Sequence, residues 1–75
     1  MAEEIVAGIT ASPTHAFGKP VIAGTRVPAA LILGLLADGR PDAEICADYD
    51  LTSDQIRATL RYAVWLADQQ SLRAS

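Results

Sequence analysis

The sequence predicts a mainly α domain: a three-helix, homeodomain or helix-turn-helix-like bundle with a short N-terminal β arm. Three observations carry this. β-branched residues and turn formers alternate up to Pro28, proline stands at the head of two later apolar stretches, and short breaker pairs divide everything after Pro28 into helical patterns. The 75 residues read as one domain, with the arm at about 5–28 and helices at about 29–38, 41–49 and 52–70.

In the arm, β-branched residues at 5, 6, 9 and 10 favour one short extended segment that ends at Ser12-Pro13. Thr14 to Phe17 is a connector. His15, the only histidine, reads as a surface loop residue, since no second histidine or carboxylate pair stands at ligand spacing; Phe17 reads as a plug beneath the arm.

The stretch Gly18-Lys19-Pro20-Val21-Ile22-Ala23-Gly24-Thr25-Arg26-Val27-Pro28 organises the rest. Val21, Ile22, Thr25 and Val27 suit a pleated surface and Gly24 marks a bend, while Pro20 and Pro28 confine the segment to an edge or to strand ends. Two strands this short do not stand alone, so the segment pairs either with the residues before it or with the same segment of a second copy. Arg26 must point to water or be paired, and the pairing expected is structural, with a carboxylate or carbonyls of a dimer partner, ahead of nucleic acid.

Residues 29–37 follow Pro28 and stop at Asp38-Gly39, the arrangement of proline before and glycine after a helix. At 100° per residue, Leu31, Ile32, Leu33, Leu35 and Leu36 sweep an arc of about 200°, twice the usual core-facing stripe. Ala30, Gly34 and Ala37 fill the rest and leave room for a second backbone. A 75-residue chain has little to cover both faces, which favours a homodimer over a helix at the centre of a small bundle. Lys19, Val21, Ile22, Arg26, Leu31, Gly34 and Leu35 are accordingly assigned to structure and the dimer seam.

Pro41, with Asp42 and Glu44 in the first turn where the helix dipole favours carboxylates, starts a second helix whose inner face carries Ile45 and Tyr49. Cys46 reads as a small buried hydrophobe rather than a nucleophile, having no basic neighbour in sequence. Asp50-Leu51 makes the turn, and Thr52 to Gln55 fits a capping box that opens the third helix. On its wheel Leu66, Thr59, Ala63, Ile56, Ala67, Leu60 and Val64 form the core stripe to about Gln70, with fraying beyond. The opposite face carries Arg57, Arg61, Trp65 and Asp68, with Tyr62 at its edge and Trp65 placed to stack on Arg61. That face is either solvated or a partner-binding surface of Trp65, Tyr62, Arg61 and Asp68.

Six Lys/Arg against nine Asp/Glu give a formal charge of −3, a poor match for phosphate and a better one for a basic protein. One cysteine and no apolar run of signal or membrane length point to a reduced, cytoplasmic chain with no membrane association. Helices at 41–49 and 52–70 with a tight turn have helix-turn-helix spacing, in which Ser53, Gln55, Arg57 and Arg61 are the candidate DNA contacts. Gly18-Lys19-Pro20 lacks the remainder of a phosphate loop, and no nucleophile–base pair, metal spacing or cofactor motif occurs. The expectation is a binding protein, not an enzyme, with no cofactor and no small-molecule substrate.

Together the residues Ile9-Thr10-x-x-Pro13, the stretch from Gly18 to Pro28, Pro41-x-x-Glu44-Ile45, and Asp48-Tyr49-x-Leu51-Thr52-x-x-Gln55-Ile56 resemble the "domain of unknown function 433" family over roughly residues 9 to 67. The resemblance implies a small helix-turn-helix-like bacterial protein, often dimeric, acting as an antitoxin paired with a PIN-like nuclease toxin. Ala16 stands where cysteine is common in that family and Ala23 where arginine is common, which lowers the positive charge of the arm. The expected function is therefore an antitoxin that occludes a PIN-like nuclease and binds its own promoter. The alternatives are a free-standing dimeric helix-turn-helix transcription regulator and an oligomerisation module.

Overall fold

The computed structural model describes residues 3–12 and 18–74. It contains β1 (Glu3–Val6), β2 (Ile9–Ala11), β3 (Val21–Ile22), α1 (Ala29–Ala37), α2 (Asp42–Tyr49) and α3 (Ser53–Ala74). Three helices with a small N-terminal sheet are the predicted fold class. The connector with His15, Ala16 and Phe17 lies outside the described residues.

The arm is more folded than the sequence implied. What read as one extended segment is a hairpin: β1 and β2 pair antiparallel, Val6 opposite Ile9, with a register irregularity between Glu4 and Val6. Gly8 turns the chain at φ +89°, and a Cβ there would lie 2.8 Å from the Cβ of Ala58 on α3. Both the dihedral and the close approach require glycine. β3 then pairs antiparallel with β2, Ile9 opposite Ile22 and Thr10 opposite Val21, in the order β1-β2-β3. The arm thus finds its partner in the residues before it, and a second copy is not needed to complete it.

Beyond β3 the bend falls at Gly24, φ +78°, where the Thr25 N–H donates to the Ile22 carbonyl at 3.0 Å. The Thr25 hydroxyl donates to the same carbonyl at 2.7 Å and accepts the Val27 N–H at 3.0 Å. These bonds return the chain to a bridge between Val21 and Pro28 and aim it into α1.

Pro28 and Pro41 are N-caps rather than first helical residues: both are extended, and their carbonyls accept the first bonds of α1 and α2. α1 closes in a Schellman motif, the Arg40 N–H on the Leu35 carbonyl and the Gly39 N–H on the Leu36 carbonyl, with Gly39 at φ +88°.

The core is built from Ile9, Ile22, Ala29, Ile32, Ile45, Leu51, Ile56 and Ala58. All five other elements pack on α3. Two sequence expectations about the helices change. In α1, Ala29 and Ile32 are buried, Leu35 and Leu36 pack on the core from its edge, and Leu31 is 41% exposed, so within one chain the helix is covered on one side only. In α3, Ile56, Ala58 and Thr59 are buried with Tyr62 and Ala63 half-buried, whereas Leu60, Val64, Leu66 and Ala67 are exposed. The buried stripe is rotated by roughly 70° from the one expected, at 100° per residue. The cause is the hairpin tip, which lands on Ala58 because two small residues meet there. The helix also runs four residues past Gln70 as helix, to Ala74, rather than fraying there. Val21 and Ile22 are core residues, while Gly34, with Ala30 and Ala37, faces outward and has nothing within 4 Å of a built Cβ.

Candidate functional site

Two surfaces of α3 hold the residues singled out from the sequence. The first is its N-terminal end, after a turn that has helix-turn-helix form. Asp50 takes the left-handed conformation, φ 55° and ψ 49°, and the Leu51 N–H bonds back to the Cys46 carbonyl at 2.9 Å while the Leu51 side chain is buried. A buried side chain just past the left-handed residue fixes the angle between the two helices. Thr52 then caps α3: the Gln55 N–H donates to the Thr52 hydroxyl at 3.2 Å, and the Thr52 N–H donates to Gln55 Oε1 at 2.8 Å. The capping box read from the sequence is present with both bonds.

This box constrains the DNA candidates. Ser53, Arg57 and Arg61 are exposed on the free flank of the helix. Gln55 is half-buried, and its carboxamide oxygen already accepts the Thr52 N–H, which turns the side chain back toward the cap, so a bidentate contact with adenine competes with the capping box. Lys19, Arg26, Arg57 and Arg61 make no ion pair among the described residues. Among the described residues Arg40 alone of these cations is engaged, Nε to Glu44 Oε1 at 3.0 Å and a terminal nitrogen to Asp48 Oδ2 at 3.2 Å, across the exposed side of α2. That network escaped the sequence because Arg40 precedes the helix whose carboxylates it joins.

Between the hairpin tip and this end of α3 lies a shallow groove of about 270 Å3, lined by Ala7, Gly8, Ile22, Ala23, Asp54, Gln55, Ala58 and Arg61. Its floor is apolar and its rim carries Asp54, Gln55 and Arg61. Ala23 lines this groove, so an arginine in its place would have brought charge to the groove rather than to a remote arm tip.

The second surface is the C-terminal half of α3, beyond the body. Every side chain from Val64 to Gln70 is exposed. Trp65 is 38% exposed and stacks on Tyr62, centroids 6.1 Å apart and planes 17° from parallel. The stacking partner is therefore Tyr62, one turn back, and not Arg61; half-buried Tyr62 supplies a fixed platform that a mobile guanidinium does not. Leu66 adjoins this aromatic pair in sequence, and Arg61 and Asp68 stand exposed on the same length of helix.

Among the described residues no group of three or more His, Cys, Asp or Glu is placed to hold a metal ion. Cys46 is a half-buried free thiol. No described helix is long and apolar enough to cross a membrane.

The model of the family "Protein of unknown function (DUF433)" matches residues 9–63, which is more than half of the chain and includes both strands β2 and β3, the helix-turn-helix and the packed half of α3. No curated protein and no solved structure matches. The chain belongs to the DUF433 family.

Proposed function

We propose that this DUF433 protein is the antitoxin of a type II toxin–antitoxin pair, a homodimer that binds a PIN-like nuclease toxin and inhibits it by covering its active site. The observation that carries this reading is the stacked pair Tyr62–Trp65, in which half-buried Tyr62 packs on the core and holds the ring of Trp65, 38% exposed, at the start of the outer half of α3. Exposed tryptophan and tyrosine on a fixed helix are the residue types that dominate binding energy at protein interfaces. A net charge of −3 complements a basic, RNA-binding enzyme. Inhibition of this kind needs no cofactor and no catalytic residue of the antitoxin, and it fits a cytoplasmic protein.

The pair also binds its own promoter through Ser53, Arg57 and Arg61, the exposed polar residues that follow the helix-turn-helix turn. With few arginines on an acidic chain, DNA affinity is weak alone and depends steeply on salt. The same exposed, unpaired arginines favour the alternative, a free-standing dimeric helix-turn-helix transcription regulator. The experiment that separates the two is co-purification of the chain with the product of any PIN-like reading frame that adjoins its gene, followed by an RNA-cleavage assay. A stable complex with suppressed cleavage supports the antitoxin; operator binding by the chain with no effect on any adjacent nuclease replaces it with the regulator.

A further inference from the structure

The exposed apolar residues of α3 do not all share one face. Leu60, Val64 and Ala67 follow the spacing i, i+4, i+7 and form a narrow stripe whose centre lies roughly 130° from Trp65, at 100° per residue, while Leu66 lies about 100° from Trp65 on the far side. That spacing is a seam of coiled-coil type, short and otherwise unpartnered. Val64, at its centre, is 61% exposed, and Leu60 is 45% exposed. Arg57 and Arg61 flank the N-terminal end of this stripe and Asp68 flanks its C-terminal end, on the same side.

We infer that the stripe is the seam of a homodimer in which α3 packs antiparallel against α3 of a second copy. Shape and charge both select that occupant. A two-fold axis near Val64 sets Leu60 of one copy over Ala67 of the other, large against small at both ends, with Val64 beside Val64. In an antiparallel pair like flanks meet, so Arg57 and Arg61 of one chain stand on either side of Asp68 of the second. The same operation repeats every contact in reciprocal form, as a closed two-fold interface demands. Ala30, Gly34 and Ala37 on α1, the other outward face without cover, offer no such pairing of charges.

This interface rests on the dimer of the proposed function and leaves Trp65 open to the nuclease; because it engages Arg57 and Arg61 with Asp68, promoter binding through those two arginines competes with the seam. The test is sedimentation equilibrium of the full chain at micromolar concentration, with circular dichroism as the check on folding. The wild type sediments at twice its chain mass. Val64→Glu keeps its helicity and weakens association by about tenfold or more. Gly34→Leu, whose side chain enters open space in the monomer, leaves the mass unchanged. The charge variants Arg57→Glu/Arg61→Glu and Asp68→Arg each associate more weakly alone and form a mixed dimer when combined. A monomeric wild type, a dimer that survives Val64→Glu, loss of the dimer in Gly34→Leu, or charge variants that do not pair would each overturn the proposal. Nuclease capture is measured separately: a dimer with these properties that inhibits no nuclease keeps the seam and removes the antitoxin.

Discussion

The two halves of α3 are similar in composition and opposite in circumstance. The first half, to Ala63, contributes Ile56, Ala58 and Thr59 to the buried interior, and the hairpin, α1 and α2 close over it. The second half carries Val64, Trp65, Leu66 and Ala67, all exposed and outside the buried core, with Val64 61% exposed and Trp65 and Leu66 partly covered at 38% and 37%. At 22 residues the helix is roughly 33 Å long by the standard rise of 1.5 Å, against principal extents of 38 × 30 × 18 Å for the whole molecule. It is too long for the body that three short strands and two helices of eight and nine residues can build around it. Apolar residues at its first half stabilise the fold; the same residue types at its second half are available only to other molecules.

Substitution can break that contrast most directly at Ile56, 1% exposed. Ile56→Ala is expected to cost about 2–5 kcal/mol, the range for large-to-small core changes, which is a large share of the stability of so small a domain. Denaturant unfolding followed by circular dichroism reads it. Val64→Ala, eight residues on, should change stability of the isolated monomer by no more than about half a kcal/mol. Equal losses at the two positions would erase the distinction between the halves.

Next in size is the contact that set the buried face. Gly8→Ala forces a Cβ against Ala58 and a non-glycine residue to φ +89°, and about 1–3 kcal/mol should be lost. A neutral result would mean that the hairpin does not hold the first half of α3 in place.

Thr52→Ala removes the hydroxyl that accepts the Gln55 N–H and should cost about 0.5–2 kcal/mol in thermal or denaturant unfolding. The bond from the Thr52 backbone N–H to Gln55 Oε1 survives the substitution, so the Gln55 carboxamide stays engaged and any DNA affinity should be unchanged beside the drop in stability.

The smallest effect on the fold and the sharpest on function is expected at Trp65. Trp65→Ala gives up a stacked pair worth about 0.5–1.5 kcal/mol and should lower the melting temperature only slightly. Nuclease affinity, measured by titration calorimetry, should fall by about tenfold or more. A large loss of stability with unchanged affinity would place the tryptophan in the fold instead.

Much of this molecule was legible in its sequence. Pro28, Pro41 and Gly39 bracket α1 and the start of α2, and the capping box at Thr52 and Gln55 forms with both bonds, because these are interactions among residues one to five apart, settled by backbone chemistry. The bend at Gly24 and the turn at Asp50-Leu51 belong to the same class. Tertiary structure alone decided which side of each element is inside. A helical wheel counts apolar residues and knows nothing of their neighbours. It centred the core of α3 near Ile56 and placed Leu60 and Val64 in it, but the approach of Gly8 to Ala58, fifty positions apart, turned the helix so that those two residues face out. In the same way the sequence left the partner of the arm open between the preceding residues and a second copy, and the turn at Gly8, which folds β1 and β2 beside β3, decided for the first. Local chemistry is short-ranged and is written where it acts, whereas burial depends on which surfaces meet, and only the folded chain brings them together.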